Sequence, residues 1–300
     1  MIGAYWNAWA FRGHPYARPT SGDEGQVAGV KHAQVQALAQ RQLAPGRTWI
    51  AIAGDVDGLE LSERLQETFG AWEPREGADA ATPAVKARPG KQVLLVDAPG
   101  SLQTYFRAGN LGFDWSDPDY AARYLANTIL GGRFTSRLNT ALRIESGLTY
   151  GARSGFDDVQ AGMFSLSSYT ATATSREAIE LARATYARFR AEGITQAELE
   201  SARTYIQGQY APDELETPAQ RARVALDLEL AGVPRARIEG LFQALDALDL
   251  EAVNRVIQRL PAPEALRWVL LGQAEVLRPL AKELGEVTEV ELSAPGFGPE

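Results

Sequence analysis

Two stretches of this 300-residue chain repeat one another at a fixed offset, and no other feature limits the fold so tightly. Val35–Leu59 (VQALAQRQLAPGRTWIAIAGDVDGL) aligns without a gap on Val253–Leu277 (VNRVIQRLPAPEALRWVLLGQAEVL), 218 residues further on. The pairs Val35/Val253, Gln40/Gln258, Arg41/Arg259, Ala44/Ala262, Pro45/Pro263, Gly54/Gly272 and Leu59/Leu277 are identical. Both copies read as a helix, an Ala-Pro turn, a buried strand and a glycine. Two unrelated helix–strand units of similar dress are the other reading of so short a match. A true duplication has a consequence. The domain holding the second copy opens near Val93, so the same offset puts the start of the first copy about 125 residues ahead of Met1. The first copy is then the closing part of a domain, expected to carry unpaired strand edges and exposed apolar faces.

The segment between the copies divides the chain. Glu73–Gly90 (EPREGADAATPAVKARPG) has three prolines, two glycines and no apolar period, and reads as a linker. Ahead of it, helices are predicted at Lys31–Gln42 and Leu59–Phe69, with a buried strand at Arg47–Ala53. Behind it, strands are predicted at Val93–Asp97, Leu102–Ala108, Leu148–Gly155, Met163–Ala171 and Leu266–Leu271. Helices are predicted at Pro118–Leu130, ended by Gly131-Gly132 at positive φ, and at Thr135–Glu145, ended by Gly147. Two more open on capping boxes, Thr174-x-x-Glu177 and Thr195-x-x-Glu198. Others cover Pro218–Leu230, Leu250–Leu260 and the neighbourhood of Arg278–Leu284. The expected organisation is a remnant at 1–72, a linker at 73–90, a complete domain at 91–292 and a tail at 293–300. Strand pairs mixed with helix pairs indicate an α+β domain, helices packed on an antiparallel-rich sheet.

Composition excludes several classes of function. The formal net charge is −8 without basic clusters, which argues against nucleic-acid binding. No run approaches the length of an uncharged membrane span, and the first residues lack the pattern of a signal peptide. Neither membrane insertion nor export is expected, which points to the cytoplasm. There is no cysteine, hence no disulfide, thiolate nucleophile or Cys-type zinc site.

Motifs for hydrolytic chemistry are also scarce. The two histidines, His14 and His32, stand 18 residues apart with no His-x-x-x-His pair. His14 reads as a loop residue and His32 as part of a solvated helix face. Asp157-Asp158 reads as a solvated turn. Nucleophile-elbow and P-loop patterns are absent from the sequence.

The distinctive segment is Leu130–Phe156, LGGRFTSRLNTALRIESGLTYGARSGF. Its Gly131-Gly132, Ser136-Arg137-Leu138, Leu142-Arg143 and Gly147-Leu148-Thr149-Tyr150 resemble the signature of the C-terminal domain of pitrilysin/insulinase-type (M16) zinc peptidases. Asp97-Ala98-Pro99-Gly100-Ser101-Leu102-Gln103-Thr104 is similar to that domain's opening strand pair. Ala10–Gly22, with the helix after it and Gly54-Asp55-Val56, is similar to the last third of the family's first domain. The resemblance covers nearly the whole chain in the family's order.

It implies the LuxS/MPP-like metallohydrolase fold. It also implies a division of labour between two homologous halves that face each other. One half binds zinc through an inverted His-x-x-Glu-His motif, which this sequence lacks. The other supplies an arginine and a tyrosine, seven residues apart, that hold the substrate backbone. By that pattern the pair is Arg143 and Tyr150. Both are donors able to bind peptide carbonyls and a developing oxyanion. The bland alternative is a helix-end cation favoured by the helix dipole and a core strand tyrosine. The implied chain is a non-catalytic, substrate-binding half or subunit of a zinc metalloendopeptidase. It carries no cofactor of its own and acts on peptides with a zinc-bearing partner subunit, or with a missing segment that holds the zinc. A structural subunit of the same family and a fragment of a longer protein are the alternatives.

Overall fold

Strands β1 (Gln92–Asp97) and β5 (Arg267–Gly272) are buried almost end to end, which happens to a strand only when neighbours and both faces are covered. In a computed structural model of the chain, residues 1–73, 82–114, 116–157, 162–293 and 296–298 are described. In chain order the helices are α1 (Ile2–Ala10), α2 (Glu24–Ala28), α3 (His32–Gln42), α4 (Leu61–Phe69), α5 (Tyr120–Asn127), α6 (Arg137–Asn139), α7 (Ser175–Glu192), α8 (Gln196–Tyr210), α9 (Pro218–Ala231), α10 (Ala236–Glu239), α11 (Leu241–Ala247), α12 (Leu250–Arg259) and α13 (Ala274–Leu284). The remaining strands are β2 (Gln103–Leu111), β3 (Ala152–Phe156), β4 (Met163–Ala171) and β6 (Glu286–Glu291).

Two compact units result. One comprises Met1–Ser21, Pro83–Gln207 and Ile238–Glu300, the other Gly22–Thr82 and Gly208–Arg237. Residues 74–81 of the expected linker and 294–295 and 299–300 of the expected tail lie outside the described residues.

The first unit is built on a six-stranded sheet in the order β3-β4-β2-β5-β1-β6. β2 runs antiparallel to β4 and β5, and β3 antiparallel to β4, while β1 is parallel to both β5 and β6. Three of its five pairings are antiparallel, so the α+β fold expected from the sequence is the fold present.

Strand side chains alternate between faces. Leu94, Val96, Val269, Leu271 and Met163 meet Tyr5, Trp6, Trp9, Ala10 and Phe11, so α1 covers one face. Burying side chains of this size is worth about 1.5–3 kcal/mol each. On β4 the neighbour of Met163, Phe164, stacks on Tyr186 of α7 at 5.4 Å. Trp6 and Trp9 also lie under cations, Arg107 at 5.0 Å and Arg267 at 4.3 Å from the ring centroids.

Four expectations need correction. Arg47–Ala53 forms no strand, because among the described residues none pairs with it. The predicted strand Leu148–Gly155 begins only at Ala152. Gly131 and Gly132 are not at positive φ; they close a π-helical turn, Thr128–Gly132. Thr174 makes no capping bond into its helix, and its hydroxyl contacts Ala171 O and Thr170 Oγ1 instead. The box at Thr195 and Glu198 does form, through Thr195 N–H donating to Glu198 Oε2 at 2.8 Å and Glu198 N–H donating to Thr195 Oγ1 at 3.3 Å.

Candidate substrate-contact site

The segment singled out in the sequence folds into one continuous piece of the first unit. After α6 the helix widens into a π-helical stretch, Thr140–Glu145, which contains Arg143. Short π-helical insertions are uncommon and recur at functional sites. The helix ends at Gly147, φ +66°, a conformation that favours glycine. There Gly147 N–H donates to Arg143 O at 3.2 Å and Leu148 N–H donates to Leu142 O at 2.9 Å. These are the two bonds of a Schellman end, each one residue wider to match the π-helical pitch.

Beyond the turn, residues 148–151 run towards β3 without ladder pairing, and hydroxyl groups take the ladder's place. Thr170 Oγ1 donates to Leu148 O at 2.8 Å, and Ser168 Oγ donates to Gly151 O at 2.9 Å. The Thr149 hydroxyl bridges its own turn, 3.1 Å from both Gly151 O and Gly151 N. Thr149 is buried while Tyr150 next to it is 79% exposed. Tyr150 is therefore not a core strand residue, and the bland reading of it fails.

Arg143 is exposed as well. Its guanidinium lies over the ring of Phe134, 4.6 Å from the centroid. A cation held against a ring face uses none of its N–H groups to do so, and they stay available to a ligand. Phe134 is itself 58% exposed, large for an apolar ring with no burial to gain. The sequence reading passed over Phe134, although its place directly after Gly131-Gly132-Arg133 was a usable signal.

Asn139 ties these parts together. Its Nδ2 donates to Phe134 O at 2.6 Å, and its Oδ1 accepts the Ala152 N–H at 3.2 Å. The buried amide thus fixes the Phe134 loop to the end of the segment bearing Tyr150. Gly131 supports the same arrangement by close approach. A Cβ there would lie 2.2 Å from Ser154 N, so only glycine lets this turn lie against β3.

Arg137 of the Ser-Arg-Leu motif has a structural task. It grips Glu198 with two bonds of 2.7 Å, donates to Gly193 O at 2.8 Å and sits over Phe189. Burial pulls the Glu198 carboxyl upward, but the Arg137 and Thr195 hydrogen bonds outweigh it and hold the pKa below the usual carboxylate range.

The residues present do not suit the zinc ion of the resembling family. His14 Nε2 donates to Pro83 O at 2.8 Å and its Nδ1 accepts the Tyr16 N–H at 3.1 Å, which occupies both ring nitrogens. His32 belongs to the other unit. Among the described residues, no three His, Asp or Glu side chains gather as metal ligands. Asp157 is no solvated turn residue: it pairs with Arg107 at 2.7 Å with its side chain only 20% exposed, while Asp158 lies outside the described residues. No helix among the described residues is long and apolar enough to cross a membrane.

Comparison with known proteins gives this geometry its family. The model of the "Peptidase M16 inactive domain" matches residues 29–206. The chain belongs to the peptidase M16 family and carries that family's inactive domain. It is 28% identical over 265 residues to an uncharacterized zinc protease of Mycobacterium leprae, covering 86% of this chain and 58% of that protein. It is 28% identical over 142 residues to the Helicobacter pylori "Non-peptidase homolog YmxG", covering 47% of this chain and 32% of that protein. Among solved structures it is similar to the peptidase M16 inactive domain from Pseudomonas fluorescens, with a TM-score of 0.81 and 26% identity, over 91% of this chain and 65% of that one. The chain thus spans less than two thirds of the length of these relatives.

Proposed function

We propose that this chain is the substrate-binding, non-catalytic half of an M16-type zinc metalloendopeptidase. Arg143 and Tyr150 hold the peptide backbone opposite a zinc site carried by another chain or by a further segment of the same protein. The observation that carries this reading is the display of two strong donors on either side of the Gly147 turn. Tyr150 is 79% exposed on a segment pinned from below, and Arg143 is braced on an exposed ring rather than spent in an ion pair. Among the described residues neither side chain is committed to an acidic partner. Such donors can bind substrate carbonyl oxygens and strengthen as negative charge develops on one of them.

The test is reconstitution. The chain is mixed with a zinc-bearing member of the family, and cleavage of an unfolded peptide is followed with wild type, Arg143→Ala and Tyr150→Phe. Loss of activity without loss of association supports the role, and unchanged activity refutes it. A purely structural subunit is favoured by one observation, the non-peptidase designation of the H. pylori relative. On that reading all three forms of the chain would behave alike.

A further inference from the structure

β3 carries an arginine between two glycines that the fold does not ask for. Along Gly151-Ala152-Arg153-Ser154-Gly155, successive side chains alternate between the faces of the sheet. Ala152 and Ser154 are buried, and the Ser154 hydroxyl donates to Asn127 Oδ1 of α5 at 2.7 Å, so theirs is the face the helices cover. Arg153 belongs to the other face and is exposed. Gly151 and Gly155, two residues to either side of it, are not at positive φ. A Cβ at either would meet no described atom within 4 Å, whereas one at Gly131 would strike the Ser154 backbone. Glycine weakens a strand through its entropy and its lack of a side chain to pack. Where neither backbone geometry nor packing calls for it, it leaves room for a ligand or another backbone to come close.

Strand register fixes the neighbours of Arg153 on that face. Ser167 of β4 stands directly opposite Arg153, and Arg107 of β2 directly opposite Ser167. In the next row Tyr169 faces Tyr105, and the two rings stack at 5.6 Å. Arg107 is committed to Asp157 and to the Ser165 hydroxyl. Arg153 is not: among the described residues it has no ion pair, hydrogen bond or ring contact. The hydroxyls of Ser167 and Tyr169 bond to no other described side chain either. This part of the face therefore offers one guanidinium and two hydroxyls, and Asp157, the acid that follows the strand, is already held by Arg107.

We propose that Arg153, with the Ser167 and Tyr169 hydroxyls, forms a subsite for an acidic side chain of the bound peptide. The proposal rests on the reading of Arg143 and Tyr150 as a backbone grip, and it adds a choice of side chain that such a grip cannot make. Tyr150 and Arg153 are three residues of extended chain apart, about 10 Å. A peptide held at Tyr150 and lying along this segment sets a side chain over Arg153 two or three residues further on. Gly151 and Gly155 leave space for its backbone. An aspartate or glutamate gains charge-assisted hydrogen bonds there, a glutamine gains neutral ones, and a lysine meets a like charge.

The experiment reads binding, so it does not depend on cleavage. Fluorescence anisotropy follows an unfolded, labelled, C-terminally amidated peptide carrying Glu, Gln or Lys at one site, titrated with the full chain. The Glu peptide is expected to bind about three- to tenfold more tightly than the Gln peptide, with Lys weakest, and the gap should narrow as salt rises. Arg153→Gln should bring the Glu peptide to the level of the Gln peptide, and Arg153→Glu should turn the preference towards Lys. Gly155→Val should not lower the melting temperature, since valine suits a strand, yet it should weaken binding of the Glu peptide. Arg143→Ala should weaken all three peptides and keep the gap between them. If Arg143→Ala changes nothing while the gap persists, the grip fails and the subsite stands. Equal binding of the Glu and Gln peptides, no binding of either, or a gap that survives Arg153→Gln would overturn the subsite.

Discussion

The Arg143 guanidinium rests over the Phe134 ring, 4.6 Å from its centroid, and both side chains are open to solvent. Two exposed residues held against each other this way gain little for the fold, since an exposed cation–π pair is worth only about 0.5–1 kcal/mol. The pair makes more sense as a braced donor. Phe134→Ala should therefore cost no more than about 1 kcal/mol of stability, and lower reconstituted peptidase kcat/KM about two- to fivefold. Phe134→Leu, which keeps the apolar contact but not the π face, should not restore it. Urea melts and steady-state kinetics check the two halves of this statement.

Asn139 should matter through position rather than contact. Asn139→Ala leaves the Ala152 N–H and the Phe134 carbonyl without their shared partner. Stranding such groups costs about 1–3 kcal/mol. Chemical denaturation should show that loss, and exchange at Ala152 should accelerate while exchange in the paired core of β4 holds.

Gly131 offers a steric test. A methyl group there would sit 2.2 Å from Ser154 N, whereas at Gly132 the nearest atom is 3.1 Å away. Gly131→Ala should cost about 1–3 kcal/mol as the turn is pushed off β3, and Gly132→Ala clearly less. Equal melting temperatures for the two variants would contradict this packing.

The Arg137–Glu198 pair predicts a pH dependence. The folded Glu198 pKa lies below its unfolded value, so the pair's contribution is present above the unfolded pKa and is lost as pH falls through the folded one. Glu198→Gln should therefore lower stability at pH 7, by about 1 kcal/mol for a partly exposed charged hydrogen bond, and the gap should close in acid. Denaturation of both forms at pH 7 and pH 3 tests the sign.

Legibility in the sequence followed the local strength of each signal. Met163–Ala171 was read to the residue, because its ends are set by a glycine and a threonine turn. The helix predicted at Leu250–Leu260 forms as Leu250–Arg259, and the Asp249 side chain caps its start. β6 was missed, since Glu286–Glu291 (EVTEVE) has three acids and only two apolar residues, and it gains its place by pairing with β1. α1 was missed too: Ile2–Ala10 is apolar on most sides and takes its form from the sheet face it covers. Arg47–Ala53 was read as a strand from intrinsic preference, yet a strand exists only with a neighbour. The widened turns at Thr128–Gly132 and Thr140–Glu145 leave no mark in apolar periodicity, so Arg143 could be named from its motif but not its setting. Phe134 carried a local mark in its place directly after Gly131-Gly132-Arg133, but its role as a brace shows only with Arg143 over its ring.

Arg143 bears the central claim most directly. The measurement is kcat/KM for an unfolded peptide, cleaved by the chain assembled with a zinc-bearing family member, compared between wild type and Arg143→Ala at equal occupancy of the assembly. Loss of a donor that serves the transition state costs about 2.7–4 kcal/mol, so a drop of about 10²–10³ is expected with association unchanged. Wild-type kcat/KM for Arg143→Ala in an intact assembly would contradict the assignment of this chain as the wall that grips the substrate.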